Sequence, residues 1–411
     1  MNVFNLIPLR YAPTALTVVG GLKEAIFTVP VLMLFYGFKG VDIGDFFLIQ
    51  GLSWLCVFAF EIPTGYIGDV FSRKNTVILG MIGRIIGYLF WIFGYGFWWL
   101  LAGEMMFALS IALTSGTMEA YLYDLLKKRH KQHAFHKKLS KIETCSGIGL
   151  LLATFSGAFL YQFIGPTTPV WFSVGCLGIA SVILLLMPDV PESRRKKDKN
   201  KSTMQDVLAI VKFSLNHTQI RWLILYPAMY GMLTLILMWG LQSVMIARDI
   251  PVYMFSIVLG GNALCRIFWS SVSGKLLGRF GLDKVIRLAG VVIVVATIGA
   301  CAAIYVPYVG VYACLILMMI GSGSVCLTGI VTSTLIHHRI ESDERSTIIS
   351  VKSMIGTAFC GVGMIALKPL FDTVGVGETF LISALLLIPI LLFSVKLYRM
   401  HLQVMAESSH S

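Results

Sequence analysis

Ionisable residues stand in stretches of this sequence too apolar to be solvated by bulk water. Lys23 and Glu24 fall near the middle of an apolar run over residues 10–36, and Arg84 near the middle of one over 75–96. Glu104 lies in a run over 98–123, and Arg266 near the middle of one over 253–277. In hydrocarbon each such group costs at least ~2.5 kcal/mol unless it is paired or faces water, so these residues are expected to line a polar cavity. Glu24 and Glu104 read either as carboxylates that exchange protons or as members of permanent ion pairs with Lys23 or Arg84. Arg84 and Arg266 either bind an anionic group of a solute or neutralise Glu61 or Glu104. As neighbours on one predicted helix, Lys23 and Glu24 point ~100° apart and should not face the same spot. Trp239 and Trp269, deep in their runs, are either packing residues or platforms on which a solute stacks. Glu24, then Glu104, are the candidate proton-coupling groups; Lys23, Arg84, Arg266, Trp239 and Trp269 are the candidate cavity residues.

Other chemistries lack the residues to carry them. No His-Glu-x-x-His, Gly-x-Ser-x-Gly or phosphate-cradling Gly-x-x-x-x-Gly-Lys-Ser/Thr occurs, which argues against hydrolysis and direct use of ATP. The eight cysteines stand singly, without Cys-x-x-Cys spacing, and read as small packing residues. His130, His133 and His136 are spaced to share a helix face, yet they sit in a run beginning Lys-Lys-Arg-His-Lys-Gln-His, the composition of a solvated basic loop. Neither a metal nor a cofactor is expected, and the chain does not read as an enzyme.

The elements that must position these residues follow from composition. Of 411 residues, 57% are hydrophobic and only 13% charged, against about 25% charged in soluble domains. At ~20 residues per span, the runs predict an all-α membrane protein with helices over 10–36, 46–67, 75–96, 98–123, 140–163, 168–187, 220–247, 253–277, 284–306, 308–334, 347–370 and 377–398. The net charge of +12 comes from Lys and Arg at the ends of these runs, a pattern that orients helices and does not suggest nucleic acid. Arg73, Lys74, the cations of 127–141, those of 194–201 and 275–287, Arg339, Arg345, Lys396 and Arg399 all fall on one side. The other side holds little beyond Lys39 and Arg248. Because Lys and Arg stay cytoplasmic, both termini are expected inside. The run after Arg10 is too long for a signal peptide and reads as a retained first helix. Residues 188–219 form a polar linker between six-helix bundles over 1–187 and 220–411, with a short helix predicted over 204–217 that is either interfacial or an ordinary soluble linker helix.

The strings Gly65-Tyr-Ile-Gly-Asp69-Val-Phe71-Ser-Arg73-Lys74 and Gly274-Lys-Leu-Leu-Gly278-Arg279-Phe280-Gly281 stand half the chain apart, as repeated halves require. The first resembles the signature loop of the major facilitator superfamily. Glu61-Ile-Pro-Thr-Gly65 and Ser115-Gly-Thr-Met-Glu119-Ala-Tyr-Leu-Tyr-Asp124 are similar to a bacterial exporter-like branch of it. The resemblance implies two pseudo-symmetric bundles of six helices around a central cavity. It also implies a conformational latch of Gly65, Asp69, Arg73 and Lys74 with Glu119 and Asp124. In the second half the aspartate position is Gly278, so that latch should be weaker there. The stretch 153–158 lacks the proline that antiporters of the superfamily often carry on their fifth helix. What the resemblance implies for function is proton-driven export, by antiport, of a small drug-like or siderophore-like molecule. A proton-coupled nutrient importer is the rival, and a membrane sensor without transport is a third reading. The expected partners are the solute, protons and membrane lipids. The expected form is a monomer in the inner membrane of a bacterium.

Overall fold

The structure, a computed structural model, describes residues 6–70, 72–190, 218–339 and 342–408. The predicted interfacial helix over 204–217 lies outside the described residues. Regular structure among them is entirely helical. In chain order the helices are α1 (Ala12–Lys23), α2 (Leu32–Phe38), α3 (Ile43–Val70), α4 (Arg73–Phe93), α5 (Phe97–Thr114), α6 (Thr117–Lys128), α7 (Phe135–Phe163) and α8 (Thr168–Leu186). There follow α9 (Thr218–Ala247), α10 (Val252–Ala302), α11 (Tyr308–Gly323), α12 (Val325–Arg339), α13 (Ser342–Thr373), α14 (Val376–Ser383) and α15 (Leu387–Ser408). Among the described residues, eleven stretches are long and apolar enough to cross a membrane, and Val29–Phe38 is a shorter apolar helix. Side chains left exposed along them are largely apolar, among them Phe163, Val291 and Ile298, as expected where lipid replaces water.

The first predicted span is corrected. It is two short helices, because α1 ends at Lys23 and helical structure resumes with a single 3-10 turn at Val29–Val31 before α2. Pro30 explains the resumption point: it has no N–H to give a preceding turn, and it disfavours helical backbone at Val29. Counting this broken element once, twelve crossings are accounted for.

The chain divides into two compact units. One comprises Met1–Asp42, Leu52–Lys201 and Val252–Ser256, the other Ile43–Gly51, Ser202–Pro251 and Ile257–Ser411. Thus α3 starts in the second unit and continues in the first, and α10 does the reverse. Within the units the half-chain repeat recurs as structure. The predicted span 98–123 breaks between α5 and α6 at Ser115, where Gly116 takes φ +68°. The span 308–334 breaks at Ser324, the residue at the same offset. Lys39 and Arg248 stand at that offset too; Lys39 caps the end of α4, and Arg248 binds the turn just after α10. Lys39 donates to the Ile92 carbonyl at 2.7 Å, its ammonium 3.9 Å from the Tyr95 ring centre. Arg248 donates to Ile304 at 3.1 Å and Val306 at 2.9 Å. Cations at helix C-termini satisfy orphan carbonyls and complement the helix dipole, each for roughly 0.3–1 kcal/mol.

In the first unit a core of Leu16, Val19, Val77, Met81, Leu122, Leu125, Ile142 and Leu184 joins α1, α4, α6, α7 and α8. Small residues let α1 meet α7. A Cβ added at Gly149 would run into the Gly21 carbonyl oxygen, whereas one at Gly147 meets open space. Without a hydrophobic drive between helices in lipid, such close contact supplies the packing energy. Gly149→Val is therefore expected to lower the thermal midpoint of the detergent-purified protein by about 2–10 °C, and Gly147→Val to leave it unchanged. Equal midpoints for both variants would contradict this packing.

Candidate functional site

The break after α1 gathers the charges. Lys23 and Glu24 form an ion pair at 3.0 Å, each partly exposed. The expectation that they point apart fails because the helix ends at Lys23, so Glu24 no longer follows helical geometry. Arg84, reaching across from α4, donates to the Lys23 carbonyl at 3.3 Å, and its charge acts on Glu24. The broken backbone is satisfied from outside the helix, as non-helical chain at membrane depth requires. Phe27 N–H donates to the Ser173 hydroxyl at 3.0 Å, and the buried Tyr88 hydroxyl interacts with those of Thr28 and Ser173. Three charged side chains, two positive and one negative, thus meet at a gap in a membrane-embedded helix.

Glu104 occupies a separate position on α5. It is buried, and its carboxylate accepts hydrogen bonds from the Tyr36 hydroxyl and the Ser53 hydroxyl, each at 2.9 Å. Two hydroxyls can donate to a carboxylate or rotate to accept from a protonated acid, so this cluster tolerates either state.

In the second unit, Trp269 donates its indole N–H to the Ile320 carbonyl at 3.1 Å, which ties it into the packing. Trp239 packs edge-on to Phe46 at 5.2 Å and is 7% exposed, yet its buried N–H has no hydrogen-bond partner. Arg266 is exposed on α10. Lys352, on α13, donates to the Thr332 hydroxyl at 3.2 Å. Asn262 donates to Ser322 at 2.6 Å, and the Tyr230 and Ser324 hydroxyls bond at 2.7 Å.

Around the signature loop, Arg73 pairs with Asp124 at 2.7 Å and also donates to the Ala120 carbonyl at 3.0 Å. Lys74 is buried and donates to the carbonyls of Leu185 at 2.9 Å and Met187 at 2.5 Å, at the end of α8. Glu119 is exposed. The surroundings of Gly65 and the side chain of Asp69 lie outside what the structure describes.

Sequence reasoning missed a second charged cluster. Lys368 on α13 bridges Asp45 at 2.6 Å and Asp372 at 2.9 Å. Around it Phe47 stacks on Phe371 at 4.7 Å, and a Cβ at Gly51 would meet the Gly361 carbonyl oxygen at 2.7 Å. Lys368 joins Lys39 and Arg248 on the side read as poor in cations. Its position just before Pro369, near the end of an apolar run, was the available signal.

A family model described as Major Facilitator Superfamily matches residues 15–366. An uncharacterized transporter of Buchnera aphidicola subsp. Acyrthosiphon pisum (strain APS) is 26% identical over 185 residues, covering 44% of this chain and 45% of that protein. The match thus spans less than half of that relative's length. Among solved structures, nucleoside transporter NupG has a TM-score of 0.76 at 15% identity, over 96% of this chain and 99% of that one. A POT family transporter in complex with a thioalcohol-conjugated peptide has a TM-score of 0.68 at 12% identity, over 96% of each chain. At these identities the likeness shows the fold.

Proposed function

The chain belongs to the Major Facilitator Superfamily, and from that premise we propose that this membrane transporter is a proton-coupled carrier, in a bacterial inner membrane, of small organic molecules bearing an acidic group. The observation that carries the reading is the pairing of Lys23 with Glu24 beside Arg84 where helix α1 breaks off. Two cations share one carboxylate. A solute anion entering there competes with Glu24 for those cations, and a proton on Glu24 releases them. Proton and anion then bind together better than either alone, and by linkage each favours the other. That is the logic of co-transport.

Export by antiport, the reading favoured by the sequence, is the second reading, and Glu104 is the observation in its favour. A carboxylate held by two hydroxyls, which accommodate either protonation state, can release its proton as a cationic solute binds. A binding panel separates the two. Under the first reading organic anions raise the thermal midpoint of the purified protein, while cationic and neutral isosteres do not, and Arg84→Gln removes the effect. Stabilisation by cations alone, unaffected by Arg84→Gln but lost in Glu104→Gln, supports the second.

The Arg73–Asp124 pair is assigned to a latch holding one end of the first unit closed. Because the partner is partly buried and charge-assisted, Asp124→Asn is expected to cost about 1–2 kcal/mol of that closed state. On an Ala120→Cys background, maleimide labelling should accelerate by about 5–30-fold, with the protein still folded. Unchanged labelling together with intact transport would rule the latch out.

A further inference from the structure

At one edge of the second unit, two cations lie against one indole. The Arg221 guanidinium carbon is 5.1 Å and the Lys396 ammonium 4.3 Å from the Trp222 ring centre, and Phe393 packs on the same ring at 4.9 Å. Arg399 is exposed three residues beyond Lys396 on α15. Among the described residues none of these cations pairs with a carboxylate, and the buried Nε of Arg221 has no hydrogen-bond partner.

Their position along the chain is as telling as their charge. Arg221 opens the apolar stretch predicted over residues 220–247, and Lys396 lies near the end of the one predicted over 377–398. Lys and Arg at the ends of such stretches, accompanied by aromatics such as Trp222 and Phe393, belong to the depth where hydrocarbon gives way to headgroups. Like charges brought together without a protein anion repel each other and leave a guanidinium donor unsatisfied, so the site is complementary to an anion supplied at that depth. We propose that Arg221, Trp222, Lys396 and Arg399 form a binding site for the phosphate of an anionic phospholipid, with the aromatic pair against its glycerol and upper acyl chain.

The test uses the full chain in neutral detergent, with dioleoyl phosphatidylglycerol, dioleoyl phosphatidylcholine or soluble glycerol phosphate added, and thermal unfolding as readout. Phosphatidylglycerol should raise the midpoint by about 2–4 °C, while phosphatidylcholine and glycerol phosphate should not. In Arg221→Gln/Lys396→Gln the lipid concentration for half of the shift should rise at least ~10-fold. Lys131→Gln/Lys137→Gln, which removes equal charge from the exposed basic stretch running into α7, should behave as wild type. If the double variant fails to fold, Lys396→Gln alone, at an exposed position, should still weaken the effect by about 3–10-fold. The proposal is overturned if the site variants keep the wild-type response, if the Lys131→Gln/Lys137→Gln variant loses it equally, or if glycerol phosphate alone gives the full shift.

Discussion

Glu24→Gln is expected to abolish accumulation of solute driven by a pH gradient, bringing the inside-to-outside ratio in proteoliposomes to about 1, while solute-for-solute exchange continues. Glutamine keeps the size and hydrogen-bonding capacity of the side chain but cannot titrate. Exchange needs the cations that hold the solute, which are retained, whereas net uptake against a gradient needs a group that loses and regains a proton in each cycle. The geometry adds a second expectation. With its carboxylate gone, Glu24 no longer competes for Lys23 and Arg84, so an organic anion should bind about 5–30-fold more tightly, equivalent to ~1–2 kcal/mol of partly screened charge interaction. Tighter binding with lost accumulation is a combination that simple misfolding does not produce. If Glu24→Gln and Glu104→Gln each accumulate solute with wild-type dependence on the gradient, coupling lies elsewhere, and the charged gap after α1 has another purpose.

The second large effect belongs to Lys368. Neutralising it in Lys368→Met leaves Asp45 and Asp372 facing each other across the contact between the start of α3 and the end of α13. Two carboxylates about 5 Å apart at a half-exposed site repel by roughly 1–3 kcal/mol, so a state that holds this contact loses about 5–150-fold in population. With Cys360 kept as the lone thiol on α13, its labelling by a membrane-impermeant maleimide should accelerate within that range. Adding Asp372→Asn, which removes the repulsion, should bring the rate back towards wild type. Unchanged labelling in Lys368→Met would mean that the cluster holds nothing shut.

The expectations divide along a physical line. The spans were legible because hydropathy is a local property, and so was the motif from Gly65 to Lys74, whose residues stand together in the chain although they fall on the end of α3 and the start of α4. The alternating cations could be seen for the same reason, although what Lys39 and Arg248 bind could not, since carbonyls carry no sequence signature. The gap after α1 went unread although Pro30 marks it, because a proline inside a long apolar run leaves hydropathy unchanged and was outweighed by it. That single omission produced the mistaken geometry of Lys23 and Glu24 and hid the contact of Arg84 with the Lys23 carbonyl. The Asp45–Lys368–Asp372 cluster was out of reach for another reason: nothing in the spacing of residues 45 and 368 says that they meet. Trp239 and Trp269 looked alike in sequence and differ in the structure in whether a carbonyl, that of Ile320, stands opposite the indole N–H.

The central claim, that proton and solute anion move together through the Lys23–Glu24–Arg84 cluster, is tested most directly by measuring both fluxes at once. Proteoliposomes loaded with a pH-sensitive dye would be given an organic anion, identified from the binding panel, with the outside either more acid or more alkaline than the lumen. The account predicts accumulation only when the outside is acid, acidification of the lumen in step with uptake, and loss of both in Glu24→Gln. Accumulation driven only by an acid lumen, or uptake without proton movement, would contradict it.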